Sequence, residues 1–192
     1  MRIIAGTKRG MGLISPKSQV SRPITDRVKE SLFSVLYKYD LPGGAVVADL
    51  FAGVGSLGLE SLSRGARFVA FVEQNPHVFS VLKKNIQKSG FGGQCMVTRG
   101  NAFKLGAPVE SGRGKYELVF VDPPYAVTGD AGQESRLGRL MDLLAGQVAP
   151  GAIAVVRTSE STEPVQRYGP FDVIERRKWG AMAVTILRKA AG

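Results

Sequence analysis

Asp49-Leu50-Phe51-Ala52-Gly53-Val54-Gly55-Ser56-Leu57-Gly58 joins the β-branched run Ala45 to Leu50 to a segment of helical period. Its glycines at 53, 55 and 58 have the G-x-G-x-x-G spacing of a strand-to-helix turn whose backbone a ligand can approach closely. In doubly wound sheets that turn lies at the carboxyl end of the first strand, where ligands bind. Further strand-like runs lie at Arg67 to Glu73, Gln94 to Thr98, Tyr116 to Val121 and Ala152 to Val156. Four of these five strands, all but the one at 94 to 98, are nearly all apolar, as strands covered on both faces are. Val78, Val81, Leu82 and Ile86 recur at helical spacing before Gly90, and Leu137, Leu140, Met141 and Leu144 before Pro150-Gly151, which marks crossover helices. Phe171 to Arg177 and Ala181 to Leu187 lack an intervening helix, so a Trp179-Gly180 turn should pair them antiparallel. The expected fold class is α/β: a Rossmann-like sheet of seven strands with helices on both faces.

Upstream, Val28, Leu32, Val35, Leu36 and Tyr39 share a helical face, with Thr25 or Ser21 as N-cap and Pro42-Gly43-Gly44 as stop. Residues 1–20 read as a small β-hairpin or arm outside the main domain, which then spans 21–192. Gly106 to Gly114 reads as a glycine-rich loop, and Ala126 to Ser135 as a polar loop expected to be mobile.

The 192 residues, 44% hydrophobic and 22% charged, suit one ordinary globular domain and exclude disordered, collagenous and coiled-coil chains. One cysteine, Cys95, permits neither an internal disulfide nor a cysteine zinc cluster, and His77 is the only histidine, so no metal is expected. With no leader-like or membrane-length apolar stretch, a cytoplasmic protein without a membrane partner is expected, as a monomer. Lys plus Arg exceed Asp plus Glu by ten, and residues 1–30 hold seven bases (Arg2, Lys8, Arg9, Lys17, Arg22, Arg27, Lys29) against Asp26 and Glu30. Arg176-Arg177-Lys178-Trp179 forms a second basic cluster. Such an excess suits an anionic polymer, although basic tails also simply aid solubility.

Two motifs carry chemistry. Glu73 ends the second strand 20 residues after Gly53, where a carboxylate can accept hydrogen bonds from both ribose hydroxyls. The glycines alone leave a nicotinamide dinucleotide, a flavin or S-adenosyl-L-methionine open. Asp49 discriminates, because a carboxylate before the loop repels a pyrophosphate but suits a ligand carrying an ammonium and a sulfonium. Asn101 follows the third strand, where its amide can accept from an adenine amino group while the Ala102 N–H donates; alternatively it is a turn residue after Gly100. Asp122-Pro123-Pro124-Tyr125 follows the fourth strand. The prolines donate no backbone hydrogen bond and hold an extended path. The Asp122 carboxylate and Pro123 carbonyl thus make two acceptors for an exocyclic amine, and Tyr125 a face on which a base can stack. The alternative, a turn that merely ends the strand, is disfavoured by the position of the tetrapeptide after the fourth strand, beside the glycine loop after the first.

Asp49 to Gly58, Glu73 and Asp122 to Tyr125 resemble the S-adenosylmethionine-dependent amino-methyltransferases of nucleic acids. Arg22 to Phe33, Met1 to Gly6 and Leu59 to Ala66 resemble one branch, the bacterial 16S ribosomal RNA guanine-N2 methyltransferases. The resemblance runs from Met1 to the terminal hairpin and implies methylation of a guanine N2 in 16S rRNA, within the 30S subunit or an assembly intermediate. It places Asp49, Phe51, Gly53, Gly55, Glu73, Asn101 and Ala102 around the cofactor, and Asp122, Pro123 and Tyr125 around the base. Arg22, Thr25 and Arg27 would face the same pocket. Arg2, Lys8, Arg9 and Lys17, with Arg176, Lys178 and Trp179, would grip RNA phosphates, which position the substrate but read no sequence. Asn101 departs from the family, which commonly has Asp there, and Ile24 stands where a second threonine is usual. The open alternatives are an amino-methyltransferase of DNA or another RNA, a non-catalytic RNA-binding assembly factor, and a nicotinamide oxidoreductase. A DNA enzyme would normally add a recognition domain of about 100 residues or more, for which this chain has no room.

Overall fold

The structure, a computed structural model, describes residues 1–16, 24–109, 112–124 and 127–191. Its centre is a row of five parallel strands in the order β3 (Cys95–Arg99), β2 (Phe68–Glu73), β1 (Val46–Leu50), β4 (Tyr116–Val121) and β5 (Val148–Ser159). β8 (Met182–Lys189) lies antiparallel beside β5, followed outward by β7 (Phe171–Trp179). The doubly wound sheet with an inserted antiparallel strand is therefore the fold observed. An eighth strand, β6 (Arg167–Tyr168), pairs with β7 at the edge. Two residues are too few to show a period, so it was absent from the sequence pattern.

Alternation along the strands divides the core in two. Val47, Val69, Phe71, Leu118, Phe120 and Val155 pack beneath α1 (Asp26–Leu36), α2 (Ser56–Ser63) and α3 (Pro76–Ser89). Val46, Ala48, Ala70, Val119 and Val156 pack against α4 (Ala102–Leu105) and α5 (Arg136–Gln147). The helices change faces between β1 and β4, which opens a crevice beyond the carboxyl ends of those strands.

Thr25 caps α1, its hydroxyl accepting from the Val28 N–H at 3.3 Å, whereas Ser21, the other candidate, lies outside the described residues. The helix stops at Leu36, and Tyr39 falls in a following 3-10 turn. Three boundaries differ from expectation. α5 ends at Gln147, and β5 starts at once and carries Pro150-Gly151 inside it. The β4–β5 register jumps from Tyr116↔Val148 to Leu118↔Ile153, so the proline occupies an irregularity, where its missing N–H costs no ladder bond. In the terminal hairpin Trp179 belongs to β7 opposite Met182, which moves the turn to Gly180-Ala181.

The amino-terminal arm is a hairpin bridged at Arg2↔Gly12, and it packs closely on the rest of the chain. Ile3 and Leu13 are buried in the core with α1 and α2. The Ile4 and Ala5 N–H groups donate to the Glu60 carboxylate, and Gly6 lies so close to α2 that a Cβ there would sit 1.7 Å from the Ser63 carbonyl oxygen. The loop expected to be mobile is also held down over its described part, 127–135. Thr128 and Ala131 are buried, with the Thr162 hydroxyl donating to the Thr128 carbonyl (3.1 Å) and the Tyr168 hydroxyl to that of Ala131 (2.5 Å). β6 thus serves to anchor the segment that follows Asp122-Pro123-Pro124.

Candidate active site at the carboxyl edge of the sheet

The strand order sets the site. Residues at or just past the carboxyl ends follow one another across the sheet as Asn101 after β3, Glu73 on β2, Asp49 on β1, Asp122 after β4 and Arg157 on β5. With about 4.8 Å between neighbouring strands, the first four span roughly 14 Å.

The glycine loop is built on left-handed backbone. Phe51 (φ +69°), Gly53 (+56°) and Gly55 (+91°) all have positive φ, and Gly55 stands before the first residue of α2. A positive φ on a phenylalanine is uncommon and concentrates at functional turns. Its ring packs on Phe103 with centroids 4.9 Å apart, joining the loop to α4. Gly58 lets α2 sit on the sheet, since a Cβ there would be 2.2 Å from the Phe71 ring.

Asp49 is buried and accepts the Gly58 N–H at 2.8 Å. Burial pushes its carboxyl up to about 7; the Gly58 bond opposes this, while the nearby Asp122 and Glu73 charges add to it. Glu73 accepts from the Gly53 N–H (2.9 Å) and the Asn75 N–H (2.7 Å), and each of its oxygens keeps a further lone pair. Asn101 caps α4, its side-chain oxygen accepting the Phe103 N–H at 2.9 Å. The turn role and the site position thus coincide in one residue.

Asp122 is half-buried beyond Val121, next to the end of β1. Burial raises its carboxyl's pKa and the Arg157 guanidinium lowers it, leaving it above the ordinary range. Arg157 Nε donates to Asp122 Oδ1 at 2.5 Å. Among the described residues nothing donates to Oδ2 or to the Pro123 carbonyl. Arg157 is not among the residues that sequence motifs single out; its signal is a charge ending the apolar run 152 to 156.

The remaining candidates are dispersed. Tyr125, Lys17 and Arg22 lie outside the described residues. Arg2 pairs with Asp26 (2.8 Å), and Arg27 is exposed on α1. Lys8 and Arg9 occupy the arm's tip beside Ser63, about 10 Å along α2 from the Ser56 end that borders the glycine loop. Arg176 is bound to Glu163 and to the Glu160 and Thr162 carbonyls, and Lys178 to Glu160 at 2.7 Å. Trp179 is half-buried against the core. A second missed group is an ionic clamp behind the loop. Buried Lys29 Nζ lies 3.1 Å from Glu60 and donates to the Arg2 carbonyl (2.7 Å) and Ser56 hydroxyl (3.4 Å), while Glu60 also takes Arg64. Burial lowers the Lys29 pKa against the Glu60 attraction. Asn85 similarly bridges the Ile14 backbone and the Val54 carbonyl of the loop.

The donor set fits S-adenosyl-L-methionine. Three mutually repelling carboxylates along one edge favour a cationic ligand, Glu73 retains acceptor capacity for ribose hydroxyls, and nothing lies within 4 Å of a Cβ built at Gly53. Fold and site together define a class I, Rossmann-like S-adenosylmethionine-dependent methyltransferase. The chain belongs to the family described as Conserved hypothetical protein 95, which matches residues 1–188. The Bacillus subtilis protein YlbH, provisionally described as an rRNA methyltransferase, is 29% identical over 191 residues, 98% of this chain and 99% of its own. Ribosomal RNA small subunit methyltransferase D of Escherichia coli K12 is 40% identical over 125 residues, 65% of this chain and 60% of its own. Among solved structures, the Escherichia coli protein yhhF, provisionally described as a methyltransferase, superposes with a TM-score of 0.81 at 30% identity, covering 100% of this chain and 99% of that one. Among the described residues no helix is long and apolar enough to cross a membrane, and no group of three metal-ligating side chains occurs.

Proposed function

We propose that this protein methylates the exocyclic N2 amine of a guanine in small-subunit ribosomal RNA. The carrying observation is that Asp122 and Pro123 present two acceptors at the end of β4, one strand from the Asp49 loop. Two acceptors match the two N–H donors of an exocyclic amine. The small-subunit ribosomal RNA substrate is supported by the name of the Escherichia coli relative, and the guanine N2 by the resemblance of residues 22–33.

S-adenosyl-L-methionine, when bound, supplies an electrophilic methyl group on sulfur. Asp49 would hold its ammonium group, Glu73 its ribose hydroxyls, and Asn101 with the Ala102 N–H its adenine edge. Asp122 Oδ2 and the Pro123 carbonyl accept hydrogen bonds from the two amine N–H groups and aim the nitrogen lone pair at the methyl carbon; the C–N bond forms as the C–S bond breaks to leave a neutral thioether, and the surplus N–H proton is released to water. As positive charge builds on that nitrogen, the fixed negative charge of Asp122 stabilises it. Tyr125 stacks on the base, which must leave its own stack to arrive there. Arg2, Lys8, Arg9 and Arg27 supply phosphate contacts, with residues 1–20 as an RNA-gripping arm on a methyltransferase domain of 21–192.

Radioactive methyl transfer to small-subunit RNA and to 30S particles, followed by nucleoside analysis, tests the proposal. Label in N2-methylguanosine is expected; label on adenine or cytosine would reject the target.

A further inference from the structure

We propose that Arg157 is a positioning residue for methyl transfer: it engages Oδ1 of Asp122 and thereby presents Oδ2 alone to the target amine. This rests on the reading of Asp122 as the acceptor of that amine. Val121↔Val156 pairing brings Arg157 beside Asp122, and Nε meets Oδ1 at 2.5 Å. The arginine is itself positioned: only 8% of it is exposed, and Nη1 approaches Met182 Sδ at 3.8 Å across the β5–β8 ladder. The guanidinium is planar and its Nη1 is held at Met182, so Nε meets Oδ1 from a fixed direction, which a lysine ammonium on a flexible stem would not give. With Oδ1 committed, Oδ2 and the Pro123 carbonyl form one acceptor for each amine proton.

The same contact governs charge. A protonated Asp122 would lose the negative charge that stabilises the transition state. Burial drives it toward that state, and Asp49 on β1, with Glu73 beyond it on β2, adds like charge at that edge. Arg157 on β5 is the cation that opposes them.

The test is the pH dependence of kcat at saturating S-adenosylmethionine, with small-subunit RNA as substrate, for wild type, R157A, R157K and D122A. Saturation keeps Asp49 paired with the ligand's ammonium, so its titration does not enter. Removing a cation in direct contact should move the acid limb upward by about 1 to 3 pH units, or tenfold in rate per unit on that limb. R157K, which restores the charge without the planar, directionally held guanidinium, should bring the limb back toward wild type while kcat stays depressed. If R157A does not fold, R157Q gives the same readout with a side chain of similar reach. A neutral variant whose acid limb coincides with wild type, while D122A is inactive, would overturn the role of Arg157. An active D122A would instead overturn the underlying reading of the site.

Discussion

The most quantitative expectation concerns Asp49 and pH. Its carboxyl, raised to about 7 in the free protein, must ionise to hold an ammonium group, so binding expels a proton whenever the free site is protonated. If the bound carboxyl returns to the ordinary range near 4, the affinity for S-adenosylmethionine should fall about 15-fold from pH 7 to pH 5.5. Over that interval the ligand's own amine, with a pKa near 8, stays protonated. About 0.9 proton per ligand should be released at pH 6, against about 0.5 at pH 7. Calorimetric titration in two buffers of different ionisation enthalpy reads both quantities. Asp49→Asn, which keeps an acceptor for the Gly58 N–H, should bind more weakly at pH 7 and lose the slope. A dissociation constant flat within twofold between pH 5.5 and 7, or an undiminished slope in Asp49→Asn, would refute the assignment.

Other substitutions separate the roles of the edge. Asp122→Ala should remove most turnover with little loss of cofactor affinity, whereas Glu73→Ala should mainly weaken the cofactor; steady-state kinetics and calorimetry would show reversed patterns if the roles were exchanged. Gly58→Ala should destabilise the fold by at least about 1–3 kcal/mol in urea denaturation, because the added methyl meets the buried Phe71 ring at 2.2 Å; a neutral effect would mean α2 can move off the sheet. Lys29→Met leaves the Glu60 charge short of one cation in the interior and should cost about 3–5 kcal/mol, part of it regained in the double variant with Glu60→Gln; a loss under 1 kcal/mol would count against the clamp.

The parts of this site readable from sequence are those that parallel-sheet topology places automatically. Asp49, Glu73, Asn101 and Asp122 each stand at or just past the carboxyl end of a strand, and those ends in a doubly wound sheet form one edge. Arg157 was hidden because its partner lies 35 residues away, and their meeting depends on a β4–β5 register that skips over Pro150-Gly151. Lys29 entered only as one of the amino-terminal bases and Glu60 carried no role, because their burial depends on the packing of the arm over α1 and α2. Composition grouped Arg176 and Lys178 with the RNA-gripping cations, but the segment that follows β5 engages both, through the Glu160 and Thr162 carbonyls and the Glu160 carboxylate. The held loop at 127–135 escaped notice because its anchors, Thr162 and Tyr168, follow β5 in the chain.

The most direct measurement is a crystal structure with S-adenosylhomocysteine bound. The ribose hydroxyls should lie on Glu73, the amino group on Asp49, and the sulfur should face Asp122 Oδ2 and the Pro123 carbonyl across a gap that fits one methyl group. A ligand bound away from the β1 loop, or with its sulfur directed away from Asp122, would contradict the account.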